Sequence, residues 1–205
     1  MLHKLTVPIS QEAVTALSVG DQVHLSGIVV TARDAAHKLM IEKFIRVAEV
    51  REQVDLYARL KELLAGGVIY HCGPVVSQDD QGCWHFVAAG PTTSTREEPY
   101  EAEVIEHFGV RAIIGKGGMG PKTLQACQDH KAVYLHAIGG AASLIAYTVK
   151  EVVEVYLKDE LGVPEAFWVI RVEDFPAVVT MDSHGRSLHA EVKERSTAVL
   201  QALIG

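Results

Sequence analysis

Cysteine is scarce in this sequence: of 205 residues only Cys72, Cys83 and Cys127 are cysteines. They are odd in number, far apart and never form a C-x-x-C pair. That excludes a disulfide framework and a zinc knuckle, and a reducing cytoplasm is the expected compartment. Positive charge is also short. Nineteen Lys and Arg stand against 26 Asp and Glu, a formal charge of -7, and no basic run or basic–aromatic interleaving offers a track for a phosphate backbone. Nucleic acid is therefore not an expected partner. Long apolar runs are missing as well. No stretch approaches the roughly 20 apolar residues that cross a bilayer, and Met1–Pro8 lacks the apolar run of a secretion signal, so no membrane partner is expected. An acidic chain can still hold a small anion, because a few converging cations make one pocket locally positive.

What is present is core material. Hydrophobic residues make up 48% of the chain, enough for a well-buried interior, and no repeat or linker divides it. One compact α/β domain over residues 1–205 is expected. Strands are predicted at Val23–Val30, Val68–Tyr70, Trp84–Ala89, Val110–Ile114, Val133–His136, Val152–Tyr156, Phe167–Val172 and Ala177–Met181. Helices are predicted at Asp34–Phe44, Val54–Leu64, Pro99–Phe108, Pro121–His130 and from about Val192. Asp182–Gly185 reads as an exposed turn, and its adjacent Asp, Ser and His cannot form a catalytic triad.

Three segments carry chemistry. Gly115–Gly120 joins a strand to a helix, where free N–H groups and the helix dipole favour an anion and Lys116 adds a mobile charge. It is not a P-loop, because Pro121 pushes Lys122-Thr123 one place late, and as a G-x-G-x-x-G motif it lacks the acidic residue a dinucleotide site needs. A plain left-handed turn with a solvated lysine is the simpler alternative. Gly90–Arg96 gathers hydroxyls and one guanidinium after a strand; Arg96 can grip a carboxylate with two parallel hydrogen bonds, while the hydroxyls could merely cap the next helix. Arg33 precedes a helix whose N-cap would be Asp34 or Thr31. It is either a second carboxylate ligand or a salt-bridge partner of Asp34 or a nearby acid. The His71-Cys72 and Cys83-x-His85 pairs have the right atoms for a metal but not a convincing spacing, since strand alternation sends His71 and Cys72 to opposite faces.

Taken in order, T-A-R-D-A-A-H-K from Thr31, Y-H-C-G-P from Tyr70, G-P-T-T-S-T-R from Gly90, I-G-K-G-G-M from Ile114 and V-E-D-F-P from Val172 resemble one known family. It is the beta subunit of class I fumarase and L-tartrate dehydratase, and the likeness runs from about Leu5 to about Leu188. The resemblance implies a swivelling β/β/α domain of an oxygen-sensitive hydro-lyase. It implies a 4Fe-4S cluster held by the cysteines of a separate alpha subunit or N-terminal domain, with none on this chain, in a hetero-oligomer that closes over a small dicarboxylate. By motif, Arg33, Arg96 and Lys116, with Gly117 beside it, match substrate-binding positions, and Thr92 matches the residue that removes the C–H proton. Fumarate hydration to malate is the expected reaction, with tartrate dehydration to oxaloacetate or a non-catalytic carboxylate-binding module as alternatives. The family often continues its threonine segment as R-M-D. Here Glu97-Glu98 follow Arg96, so the contacts of that pair are open.

Overall fold

The computed structural model describes residues 1–204. In chain order it contains β1 (Leu2–Thr6), α1 (Gln11–Thr15), β2 (Gln22–Thr31), α2 (Asp34–Met40) with a π-turn at Ile41–Ile45, and α3 (Val54–Leu64). β3 (Val68–Tyr70), β4 (Val75–Gln78), β5 (Trp84–Ala88), α4 (Glu101–Phe108), β6 (Ala112–Gly115) and α5 (Pro121–His130) follow. The chain continues through β7 (Val133–His136), α6 (Ala142–Ala146), β8 (Val149–Tyr156), α7 (Lys158–Leu161), β9 (Phe167–Met181) and α8 (Leu188–Ile204). No helix is long and apolar enough to cross a membrane among these residues.

The main sheet runs β1-β2-β3-β6-β7-β9-β8, and β2 also pairs antiparallel with β9. That extra pairing joins β2, β3, β6, β7 and β9 into a closed ring. Strand alternation then separates two cores. Val68, Tyr70, Ala112, Ile114, Val133 and Leu135 point into the ring with Trp168 and Ile170. Their neighbours Ile69, Ile113 and Tyr134 point outward, beneath α2 to α5. Strands buried on both faces read as continuous apolar runs, which makes the short ones legible in the sequence. The α/β class and the single domain expected from the sequence are what the chain forms.

Several boundaries differ from the sequence reading. The helix predicted over Asp34–Phe44 is α-helical only to Met40; there the Arg46 amide donates to the Ile41 carbonyl at 2.9 Å, widening the last turn. The two strands predicted at Phe167–Val172 and Ala177–Met181 are one, β9. Its Pro176 is tolerated because the strand is irregular beside it, with Asp174 at φ 49° and a register shift opposite Leu25 and Gly27. The turn after β9 is present, but Asp182 and Ser183 are buried rather than exposed. Asp182 takes amide hydrogens from Val19, His184 and Arg186 at 3.0–3.1 Å.

Candidate functional site

The three chemistry-bearing segments meet at the C-terminal ends of the parallel strands β2, β3 and β6. β2 delivers Arg33, β3 delivers His71, and β6 delivers Lys116 and Gly117. The Gly90–Arg96 segment is stitched across two of these ends. The Thr92 amide donates to the His71 carbonyl at 2.7 Å, and the Lys116 amide donates to the Thr92 carbonyl at 3.2 Å. The Ser94 amide then donates to the Lys116 carbonyl at 3.1 Å. Thr92 and Lys116 are thus fixed to one another through the backbone, although they are far apart in sequence. The Thr92 hydroxyl donates to the same His71 carbonyl at 3.2 Å, leaving its lone pairs for another group.

Arg33 and Arg96 meet at one carboxylate. Asp34 Oδ1 lies 3.9 Å from one Nη of Arg33 and 3.8 Å from one Nη of Arg96. Both separations are ion-pair distances, too long for hydrogen bonds. Arg33 Nε also sits 3.2 Å from Glu165 Oε1, but out of line, so this buried N–H has no hydrogen-bond partner. The salt-bridge reading of Arg33 therefore holds: it pairs with Asp34 and with a further acid, while its donors remain unspent. Arg33 is 17% exposed and Arg96 49% exposed, so one guanidinium is recessed and the other is at the rim. Arg46, Arg59, Arg111, Arg171 and Arg186 are committed to carboxylates or carbonyls.

The helix start beside Arg33 is organised differently from the sequence expectation. Neither Asp34 nor Thr31 caps α2. Glu165, from the turn before β9, accepts the Ala35 amide at 3.1 Å, and Thr31 Oγ1 instead accepts the Trp168 amide at 3.0 Å. Burial raises the Glu165 carboxyl pKa, opposed by Arg33. The hydroxyls of Gly90–Arg96 do not cap α4 either. Its N-cap position is Tyr100, without a side-chain bond.

The glycine turn also departs from the expectation that its helix terminus awaits an external anion. Glu98 already occupies the start of α5: its carboxylate accepts the amides of Gly120 at 2.7 Å and Lys122 at 3.0 Å, and the Thr123 hydroxyl at 2.7 Å. A cavity of about 680 Å³ lies beside this turn, against the start of α8, and takes in Gly117, Thr95 and His189 but not Arg33, Thr92, Arg96 or Lys116. Gly117 is thereby set between that cavity and the Thr92–Lys116 junction.

Beneath the cations is a buried polar cluster that sequence reasoning missed. His37 Nε2 and His71 Nε2 lie 3.0 and 2.9 Å from the same Glu101 oxygen, Oε2. His37 Nδ1 lies 2.8 Å from the Arg33 carbonyl, and must carry a hydrogen to donate there. His71 Nδ1 lies 2.9 Å from Ser94 Oγ, which is 2.8 Å from the Tyr134 hydroxyl. Burial alone would raise the Glu101 carboxyl pKa, but the His37 charge and hydrogen bonds from both histidines outweigh it and hold it at about 2. Burial opposes a charge on His37, and Glu101 overrides it, raising the His37 pKa. Glu97, one turn earlier, is also buried, and neither of its carboxylate oxygens has a partner. Desolvation pushes its pKa up. Helical spacing gave one clue, since His37 follows Arg33 by four residues; nothing local announced that Glu101 would face inward.

The cysteines do not fit an iron–sulfur cluster. Cys72 is buried in the ring core, Cys127 in the core beneath the helices, and Cys83 is exposed on the β4–β5 hairpin. Burial pushes the Cys72 thiol up to about 12 and Cys127 higher still, the reverse of a ready thiolate ligand.

Comparison with known proteins adds independent findings. The family model described as the fumarase C-terminus matches residues 2–192. A Geobacillus stearothermophilus protein named "Putative fumarate hydratase class I" is 50% identical over 192 residues, covering 94% of this chain and 34% of that protein. The "L(+)-tartrate dehydratase subunit beta" of Escherichia coli K12 is 41% identical over 191 residues, covering 93% of this chain and 88% of that one. The chain therefore spans about a third of one relative and most of the other.

Proposed function

The chain belongs to the fumarase C-terminus family, and from that membership we propose that it is the beta-type part of a hydro-lyase acting on a four-carbon dicarboxylate, fumarate and malate first. The single observation that carries this reading is the meeting of Arg33 and Arg96 at Asp34 with no side-chain hydrogen bond made by either guanidinium among the described residues. Two forks with unspent donors suit a substrate carboxylate, which each can bind in a bidentate way. Lys116 stands on the neighbouring turn, held to Thr92 through the backbone, and supplies the separate cation that a second carboxylate needs. Holding both ends of the diacid fixes the reacting carbons beside Thr92.

In this reading Thr92 handles the C–H proton. Its hydroxyl hydrogen is directed to the His71 carbonyl, which leaves the oxygen lone pairs for the substrate. The iron–sulfur cluster belongs to a cysteine-bearing alpha subunit, because the three thiols of this chain are dispersed. Arg33, Arg96, Lys116 and Thr92 stand on strand ends rather than around the 680 Å³ cavity, as suits a face that a second polypeptide completes.

Anaerobic coexpression with a cysteine-rich alpha-type partner, followed by a panel of fumarate, malate and the tartrate isomers, tests the proposal. Hydration or dehydration of one of these diacids, lost on Arg96→Ala and on Lys116→Ala, is the expected result. Turnover indifferent to both substitutions overturns the site. Turnover of tartrate alone moves the assignment to the dehydratase.

A further inference from the structure

We propose that His37, His71 and Glu101 form a buried structural site for a divalent transition-metal ion, with Glu97 as its fourth ligand. The three ligand atoms all lie within 4.8 Å of one another. The side chains come from α2, the end of β3 and α4, so the site ties together the elements that carry Arg33 and brace Thr92.

Four observations converge on a metal. First, the Arg33 carbonyl fixes the hydrogen of His37 on Nδ1, which in the neutral ring leaves the Nε2 lone pair facing Glu101; an imidazole held by a carbonyl behind it is the usual supported metal ligand. Second, His71 has a comparable brace, the Ser94–Tyr134 hydroxyl pair behind its Nδ1. Third, Glu101 Oε1 and both oxygens of Glu97 are buried without hydrogen-bond partners, so carboxylate capacity remains beside the two rings. Glu97 lies one turn before Glu101, whose amide donates to the Glu97 carbonyl at 2.9 Å.

Fourth, the charge of the site suits an ion, since two buried carboxylates carry two negative charges. A dication balances both carboxylates with both imidazoles neutral. For these three residues the geometry needs little change, and the Glu97 carboxylate, which lies outside their group, turns in to complete the site. Ligand bonds of about 2.0–2.1 Å in a tetrahedron set ligand atoms about 3.3 Å apart, and the two histidine nitrogens already lie 2.9 and 3.0 Å from Glu101 Oε2. Two imidazoles with carboxylates suit zinc, ferrous or manganous ions rather than magnesium or calcium. Cys72 and Cys83 take no part, so the weak spacing of their pairs does not bear on this site.

The inference concerns this chain alone and is independent of the hydro-lyase reading. The full-length chain is stripped with a chelator, titrated with zinc and then with cobalt, and assayed for bound metal, melting temperature and the visible absorption of tetrahedral cobalt. About one equivalent per chain with a higher melting temperature is expected, along with a cobalt spectrum. Glu97→Gln, which keeps size and can be tested for folding by circular dichroism, should weaken zinc binding at least about 10-fold, and Ser94→Ala about 10–100-fold through the loss of its support for His71. Substoichiometric zinc and cobalt at saturating concentration, with an unchanged melting temperature, overturn the site and leave His37 as an imidazolium paired to Glu101. Equal zinc affinity in wild type and a folded Glu97→Gln overturns the four-ligand assignment. Diacid turnover by the assembled enzyme is a separate measurement, and its success or failure leaves the outcome of the metal titrations unchanged.

Discussion

The carboxylate of Glu98 stands 2.7 Å from the Gly120 amide and 2.7 Å from the Thr123 hydroxyl, at the first turn of α5. An internal anion therefore satisfies the helix terminus that the glycine turn would otherwise offer to a ligand. Glu98→Ala should lower stability by about 1–2 kcal/mol, in the range of a lost helix cap. Urea unfolding of the isolated chain measures this. Glu98→Asp, which keeps the charge with a shorter reach, should recover part of the loss.

Arg96 is half exposed and makes no side-chain hydrogen bond, so its loss should reach catalysis and not folding. In the assembled enzyme Arg96→Ala is expected to lower kcat/KM about 100-fold, about 2.7 kcal/mol of transition-state stabilisation. Arg96→Lys should restore little of it, because an ammonium cannot make the paired fork. Denaturant midpoints of all three proteins should agree within error.

The glycine at the end of β6 has no room for a methyl group. A Cβ on Gly115 would lie 1.9 Å from Ser94 Oγ and 2.8 Å from the Tyr134 hydroxyl. Gly115→Ala should destabilise the chain by about 1–3 kcal/mol, as an overpacked core position does, and should displace Ser94 from His71. Thermal unfolding gives the first effect. The His71 imidazole resonances in NMR spectra give the second.

Acid should act on Glu97 and Glu101 in opposite directions. The folded Glu101 value of about 2 lies below the unfolded value of about 4.3, so its contribution is complete above that unfolded value and fades as pH falls toward 2. Glu97 is raised instead, so the folded state binds its proton more tightly, and stability falls as pH rises from the unfolded value through the folded one. In chelator, Glu97→Gln should therefore be more stable than wild type at neutral pH, with the advantage shrinking near pH 4. Glu101→Gln should flatten the loss of stability between about pH 4 and 2. Urea titrations across this range check both signs.

Much of this architecture can be read from the sequence, but unevenly. α3, α5, β3 and β7 follow from apolar runs bounded by Gly, Pro or a clear helical period, because those residues interact with their own neighbours. The short pieces β1, β4, α1, α6 and α7 carry no such signal. They are held by tertiary packing, as when Val14 and Leu17 near α1 are buried against the ring. The site divides in the same way. Arg33, Thr92, Arg96 and Lys116 stand beside strand ends and glycine turns that mark them, whereas Glu97 and Glu101 look like ordinary acids at a helix start. Only the packing of α4 against α2 and α5, and the approach of Glu101 to His37 and His71, turns them inward. Distant contacts of that kind leave no local pattern.

The pairing of β2 with β9 has a consequence for how the molecule is made. Its partners, such as Val23 and Ala177, are widely separated in sequence, so the barrel cannot shut until β9 has left the ribosome. A nascent chain ending before Phe167 would present the bare flanks of β2 and β7 as open edges for intermolecular strand addition. Late closure of this sort slows folding and makes it cooperative. It also means that Arg33 and the acid that steadies its helix, Glu165, come into register only in the last stage of assembly.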